Sequence, residues 1–131
     1  MAQSVTPFLM FKGNAEEAIE LYASLFNDSD ITDVVPFGQE QPELEGQMMM
    51  ATLTLAGQQF KCLNSHIPHE FDFTPSYSIF VECESEDELI KIYETLSTDG
   101  EILMPLDHYG FSKKYVWLND RYGVSWQLNL R

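Results

Sequence analysis

Ser125, Gln127 and Asn129 recur at every second position near one end of the chain, separated by Trp126 and Leu128. In a strand this spacing sends the three polar residues to one face and Val124, Trp126, Leu128 and Leu130 to the other. A hydroxyl and neutral amides can hydrogen-bond an uncharged or anionic small molecule without burial of a carboxylate. The same face would equally serve simply to meet water. Gln127 is the leading candidate ligand contact, with Ser125 beside it. Met48, Met49 and Met50 form a second unusual run. Met48 and Met50 share one strand face and Met49 takes the other, so Met50 is a candidate pocket residue and Met49 reads as core. Among the three histidines, His66 and His69 with Glu70 lie beside Ile67-Pro68 and lack a second pair of ligands, which makes them surface residues. His108, within Leu106-Asp107-His108-Tyr109-Gly110, is a weak candidate proton shuttle, because an imidazole changes protonation near neutral pH. Lys113, Lys114 and Arg121 could hold an anion, although surface pairing with carboxylates is the commoner use.

The elements that must position these residues come as a repeat. Phe8-Leu9-Met10-Phe11 leads into Asn14-Ala15-Glu16-Glu17-Ala18, and Ile79-Phe80-Val81-Glu82 leads into Ser85-Glu86-Asp87-Glu88-Leu89. Each copy predicts a strand followed by a helix with a capping box, Asn14 with Glu17 and Ser85 with Glu88. Ala15, Ala18, Tyr22 and Leu25 form the apolar stripe of the first helix, which runs to Phe26. Further strands are predicted over Ile31–Phe37, Met48–Leu55 and Gln59–Leu63, with a turn at Ala56-Gly57-Gln58. In the second copy they cover Glu101–Met104, ended by Pro105, then Tyr115–Leu118 and Val124–Leu130. Residues 38–46 read as a loop. The 131 residues therefore predict one α+β domain built of two modules, about 4–66 and about 72–131.

With 21 acidic residues against 7 Lys and Arg, the chain should repel nucleic-acid phosphates and anionic membrane surfaces. Cys62 and Cys83 sit in apolar stretches and read as buried thiols rather than a disulfide. The start of the chain shows no secretory signal pattern, and no window is long and apolar enough to span a membrane, so a cytoplasmic location is expected.

The chain resembles the PhnB-like, 3-demethylubiquinone-9 3-methyltransferase-like branch of the vicinal oxygen chelate superfamily. The matching stretches are Thr6-Pro7-Phe8-Leu9-Met10-Phe11 with Ala15-Glu16-Glu17-Ala18 and Tyr22, then Leu55-Ala56-Gly57-Gln58-Gln59-Phe60 with Leu63-Asn64, and Phe73-Thr74-Pro75 with Ser78 and Val81. The most specific is Asp120-Arg121-Tyr122-Gly123-Val124-Ser125-Trp126-Gln127-Leu128. The resemblance implies two βαβββ modules forming a curved, partly open mixed sheet with a central cleft, usually in a homodimer. In metal-using relatives, strand positions that fall here within Thr6-Pro7-Phe8, Met49-Met50, Ser76-Tyr77-Ser78 and at Gln127 supply His and Glu ligands. None of these residues is an imidazole or a carboxylate, so no metal and no cofactor is expected.

Three functions are weighed as expectations, the last of them a structural or regulatory subunit. The first is a metal-independent binder of an unidentified small molecule, like the resistance-type relatives, with Phe8, Met50, Ser78, Ser125 and Gln127 lining the site. The second is a lyase, isomerase or dioxygenase with a non-standard metal site. Methyl transfer is disfavoured because the chain lacks a Gly-rich strand-to-helix turn.

Overall fold

The computed structural model describes residues 2–131, which fall into two compact units, one ending at Pro68 and the other covering His69–Arg131. Each unit has the order βαβββ. The first contains β1 (Phe8–Phe11), α1 (Ala15–Leu25), β2 (Asp30–Pro36), β3 (Met48–Leu55) and β4 (Gln58–Asn64). The second contains β5 (Ser78–Glu82), α2 (Glu86–Ser97), β6 (Glu101–Asp107), β7 (Lys114–Asn119) and β8 (Ser125–Leu130).

Both sheets are mixed and follow one plan, β1-β4-β3-β2 and β5-β8-β7-β6. The first strand of each unit pairs parallel with the last, and the remaining neighbours are antiparallel. The strand-to-helix start thus returns to the sheet beside the unit's final strand, which makes β4 and β8 inner strands with neighbours on both sides.

Period-two alternation divides each sheet into a helix side and an open side. In the first unit Leu9, Phe11, Ala51, Leu53 and Cys62 are buried with Ala15, Ala18, Ile19 and Tyr22 of α1. The Phe11 and Tyr22 rings meet at 6.5 Å. Ile19, rather than Leu25, completes the buried stripe of this helix. In the second unit Val116, Leu118, Trp126 and Leu128 are buried, as are Leu89, Ile92 and Leu96 of α2.

The helix starts differ from each other. Ser85 caps α2 as its sequence predicts, accepting from the Glu88 amide at 3.1 Å, while Glu88 Oε1 reaches back to the Glu84 amide at 2.8 Å. Asn14 makes no side-chain cap to α1. The Ala15 amide instead donates to Asn64 Oδ1 at 3.4 Å, and Asn64 Nδ2 donates to the Met48 carbonyl at 3.3 Å. Asn64 is buried at the end of β4, so one amide ties helix, β3 and β4 together. Its local competitor at the cap is displaced by a residue 49 positions away. Asn64→Ala strands both partners, and a loss of about 1–2 kcal/mol in urea unfolding is expected.

Pro105 does not end β6. That strand runs on to Asp107 with register shifts between Ile102 and Met104 and between Met104 and Asp107. It lies at the edge of its sheet, where a residue without an N–H group is tolerated in an irregular stretch. The β3–β4 turn is formed by Ala56 and Gly57, both at positive φ (48° and 89°), the conformation of a two-residue hairpin. Residues 38–46 form a loop closed at its neck by the Phe37 amide on the Gln47 carbonyl at 2.8 Å.

Candidate functional site

Because β8 lies between β5 and β7, each polar side chain on its open face has a cross-strand neighbour on both sides. Ser125 pairs with Ser78 and Asn119, Gln127 with Phe80 and Trp117, and Asn129 with Glu82 and Tyr115. The predicted polar row is therefore framed by a hydroxyl and a phenyl ring on one flank and two large aromatics on the other.

Most of this polarity is satisfied internally. Ser78 Oγ and Ser125 Oγ lie 2.8 Å apart, Trp117 Nε1 donates to Ser125 Oγ at 2.8 Å, and Ser78 Oγ donates to the Pro75 carbonyl at 3.3 Å. A hydroxyl has one proton. With that of Ser78 on Pro75, that of Ser125 lies on Ser78, and the chain Trp117, Ser125, Ser78, Pro75 has a fixed direction. Asn129 is occupied as well: Ser112 Oγ donates to its Oδ1, and its Nδ2 donates to both oxygens of Glu82 at 3.2 and 3.0 Å. Its role is to hold the segment after β6 and the end of β5.

Gln127 differs. Its Oε1 accepts from the Tyr115 hydroxyl at 2.5 Å, and its amide nitrogen has no partner among the described residues. Burial, and secondarily the neighbouring Tyr109, pushes the Tyr115 phenol above its ordinary pKa, so it remains a protonated donor at neutral pH. That donation orients the Gln127 amide and leaves its two N–H groups for an acceptor on a ligand. Tyr109, Phe111 and Tyr115 form a contiguous aromatic group, with ring centroids 5.2 to 6.1 Å apart and the Phe111 ring exposed.

Phe8 and Met50 belong to the other sheet. Phe8 pairs with Lys61 across β1 and β4, while Met50 pairs with Leu63, whose other neighbour is Met10. Both lie on the open side, opposite the buried Leu9 and Ala51. Of the sequence-predicted set, Ser78 is thus in direct contact with Ser125, Gln127 shares their row, and Phe8 and Met50 share the open face of the first unit's sheet. His108 occupies the exposed segment after β6. Its Nδ1 accepts from the Gly110 amide at 3.0 Å, and its Nε2 lies 3.9 Å from Asp107 Oδ1. Tyr115, Trp117 and Lys61 were not anticipated. The alternation in Lys114–Asn119 places Tyr115 and Trp117 beside the polar row once β7 is paired with β8, a pairing that the strand pattern alone does not specify.

The described residues contain no group of three or more His, Cys, Asp and Glu able to hold a metal ion. A thioether, two hydroxyls and a neutral amide do not fit a hard or borderline divalent cation. Cys62 and Cys83 are free and buried, and burial pushes each thiol up to about 12, helped at Cys83 by Glu88 and Glu82. Neither is a thiolate nucleophile at neutral pH.

With this architecture in view, the model of the 3-demethylubiquinone-9 3-methyltransferase family matches residues 3–129. The chain belongs to this family. It is PhnB-like. It is similar to a PhnB protein from Bacillus cereus, with 50% identity, a TM-score of 0.92 and coverage of 98% of this chain and 100% of that one. It is also similar to protein PA1353 from Pseudomonas aeruginosa, with 25% identity, a TM-score of 0.83 and coverage of 99% and 98%. The fosfomycin resistance protein FosX from Listeria monocytogenes shares the fold, with 12% identity, a TM-score of 0.59 and coverage of 100% and 94%. A comparison with curated proteins finds no match. The two βαβββ modules are those of the glyoxalase-like fold. A methyl-donor nucleoside site of the doubly wound kind, with a Gly-rich turn in a parallel sheet, does not fit the PhnB-like chain as it stands. Its strand-to-helix turns are Lys12-Gly13-Asn14 and Cys83-Glu84-Ser85, neither of them Gly-rich, and parallel pairing is confined to one strand pair per sheet. Among the described residues no helix is long and apolar enough to cross a membrane.

Proposed function

We propose that this PhnB-like chain is a metal-independent small-molecule-binding protein that acts as a homodimer in the cytoplasm and uses the open faces of its sheets to hold its ligand. The observation that carries this reading is the arrangement at Gln127. A protonated Tyr115 fixes one end of the amide, the other end is free, and Phe80 and Trp117 flank it across the strands. An amide aimed in this way hydrogen-bonds a carbonyl or ring nitrogen, and the flanking rings cover the apolar body of the ligand. Ser125 and Ser78 hold Trp117 in place, and Phe8 and Met50 supply apolar contact on the first unit's sheet. No step of this function needs a proton shuttle, so His108 has no assigned part in it. Homodimerisation is supported by the edge strand β2, which exposes Val34 and Val35.

The test is thermal unfolding against a library of small metabolites, with elemental analysis of protein purified without an affinity tag. A ligand of the native state at 100 times its Kd should stabilise the protein by about 2.7 kcal/mol. Gln127→Leu, which keeps the bulk and removes the donors, should weaken that ligand about tenfold while leaving the unliganded melting temperature within a few degrees. Near-stoichiometric zinc, nickel, iron or manganese in the tag-free protein, or a hit indifferent to Gln127→Leu, would overturn the reading.

A further inference from the structure

The open face of the first unit's sheet contains one cation in an unusual setting. Lys61, in the middle of β4, is half-buried between Phe8 on β1 and Thr52 on β3, its neighbours across the two strand pairings. The next row along this face is Met10, Leu63 and Met50. The Lys61 ammonium donates to Thr52 Oγ1 at 2.8 Å, and no carboxylate of the described residues pairs with it. Acidic side chains outnumber basic ones threefold in this chain, 21 to 7, and other cations do find them: Lys114 lies 3.4 Å from Glu86 and Arg131 lies 3.8 Å from Glu82. An ammonium has three donors, of which Thr52 occupies one.

We infer that Lys61, with Phe8, Met10, Met50 and Leu63 around it, forms a binding site for the anionic head of a small apolar monoanion, a carboxylate with a hydrocarbon or aryl body. The charge selects the head, the phenyl ring and thioethers accommodate an irregular body, and the buried Thr52 hydroxyl anchors the ammonium, leaving its other two donors for the ligand. The excess of acid elsewhere makes an anion unwelcome at most other places on the surface. This inference rests on the reading that Phe8 and Met50 face the ligand.

Isothermal titration calorimetry with 4-phenylbutyrate and its neutral counterpart 4-phenylbutanol tests it. The expected result is saturable binding of the acid, about tenfold tighter than the alcohol and weakened by salt. Lys61→Met should abolish that preference, while Lys61→Arg should retain it. If Lys61→Met binds the acid as tightly as the wild type, or the wild type binds acid and alcohol alike, the site does not recognise charge and the inference fails. Phe8→Ala separates this failure from the failure of the underlying reading. Equal binding of both compounds that weakens in Phe8→Ala leaves the apolar face as a ligand surface and removes only the role of Lys61. Binding of neither compound to the wild type overturns the inference directly.

Discussion

Replacing Asp120 by alanine should cost about 3–5 kcal/mol of stability and lower the melting temperature by roughly 10–20 °C. Asp120 is buried in the turn between β7 and β8. Its Oδ1 accepts from the amides of Tyr122 at 2.8 Å and Val124 at 3.0 Å, and its Oδ2 accepts from Trp126 Nε1 at 2.9 Å. The carboxylate thus shapes a turn and satisfies the indole of a fully buried tryptophan. Alanine removes the carboxylate that the buried Trp126 indole donates to and releases two turn amides. Asp120→Asn is the informative control. Its carbonyl can still serve the two turn amides, but its NH2 group meets the indole donor to donor, so a smaller loss of about 1–3 kcal/mol is expected. Equilibrium urea unfolding with an unchanged slope would show that the native state alone was weakened. A loss below ~1 kcal/mol for alanine would mean that the turn is held by backbone bonds alone, such as the Asp120 amide on the Val124 carbonyl at 2.9 Å.

How much of this was legible in the sequence depended on how local each cause is. The Ser85 cap, the Ala56-Gly57 turn and the alternation of Ser125, Gln127 and Asn129 are set by residues within four positions of one another, and each is realised in the structure. The cap of α1 was misread because Asn14 has the right chemistry while the partner that reaches the Ala15 amide, Asn64, comes from the far end of the unit. Pro105 was misread as a stop because proline excludes a residue from an inner strand, and only the strand order shows that β6 is an edge. The site was half legible for the same reason. Ser125 and Gln127 could be placed on one face from their spacing, but the occupation of Asn129 by Glu82 and the free amide of Gln127 depend on neighbours contributed by β5 and β7. Lys61 escaped notice because a single lysine has no sequence signature. What singles it out is the absence of a described carboxylate partner and the apolar company that pairing brings to it.

Gly100→Ala should cost about 3 kcal/mol, although nothing in the backbone conformation of this glycine forbids a side chain. Gly100 lies between the end of α2 and the start of β6. A Cβ there would stand 2.3 Å from the Asn119 carbonyl oxygen, 3.2 Å from that of Leu96 and 3.3 Å from Asp120 Cα, all backbone atoms. On conformational grounds alone, alanine would be expected to stabilise by about 0.4–1 kcal/mol through a less flexible unfolded chain. The overlap decides the sign, because no side chain can rotate away and the relief must come from moving the β6–β7 pairing of Glu101 with Asn119. Asn119 is also the β7 partner of Ser125, so the same displacement reaches the row that holds Trp117. Gly57→Ala supplies the contrast. Its Cβ would meet nothing within 4 Å, but φ is +89°, so its cost of about 1 kcal/mol is conformational only. Urea unfolding of the two variants side by side should therefore rank Gly100→Ala well below Gly57→Ala. Near-UV circular dichroism should change only in the former, since Trp117 and Trp126 both lie on strands that its overlap disturbs. If the two variants prove equally stable, the close approach of Gly100 to β7 is not what holds the start of β6.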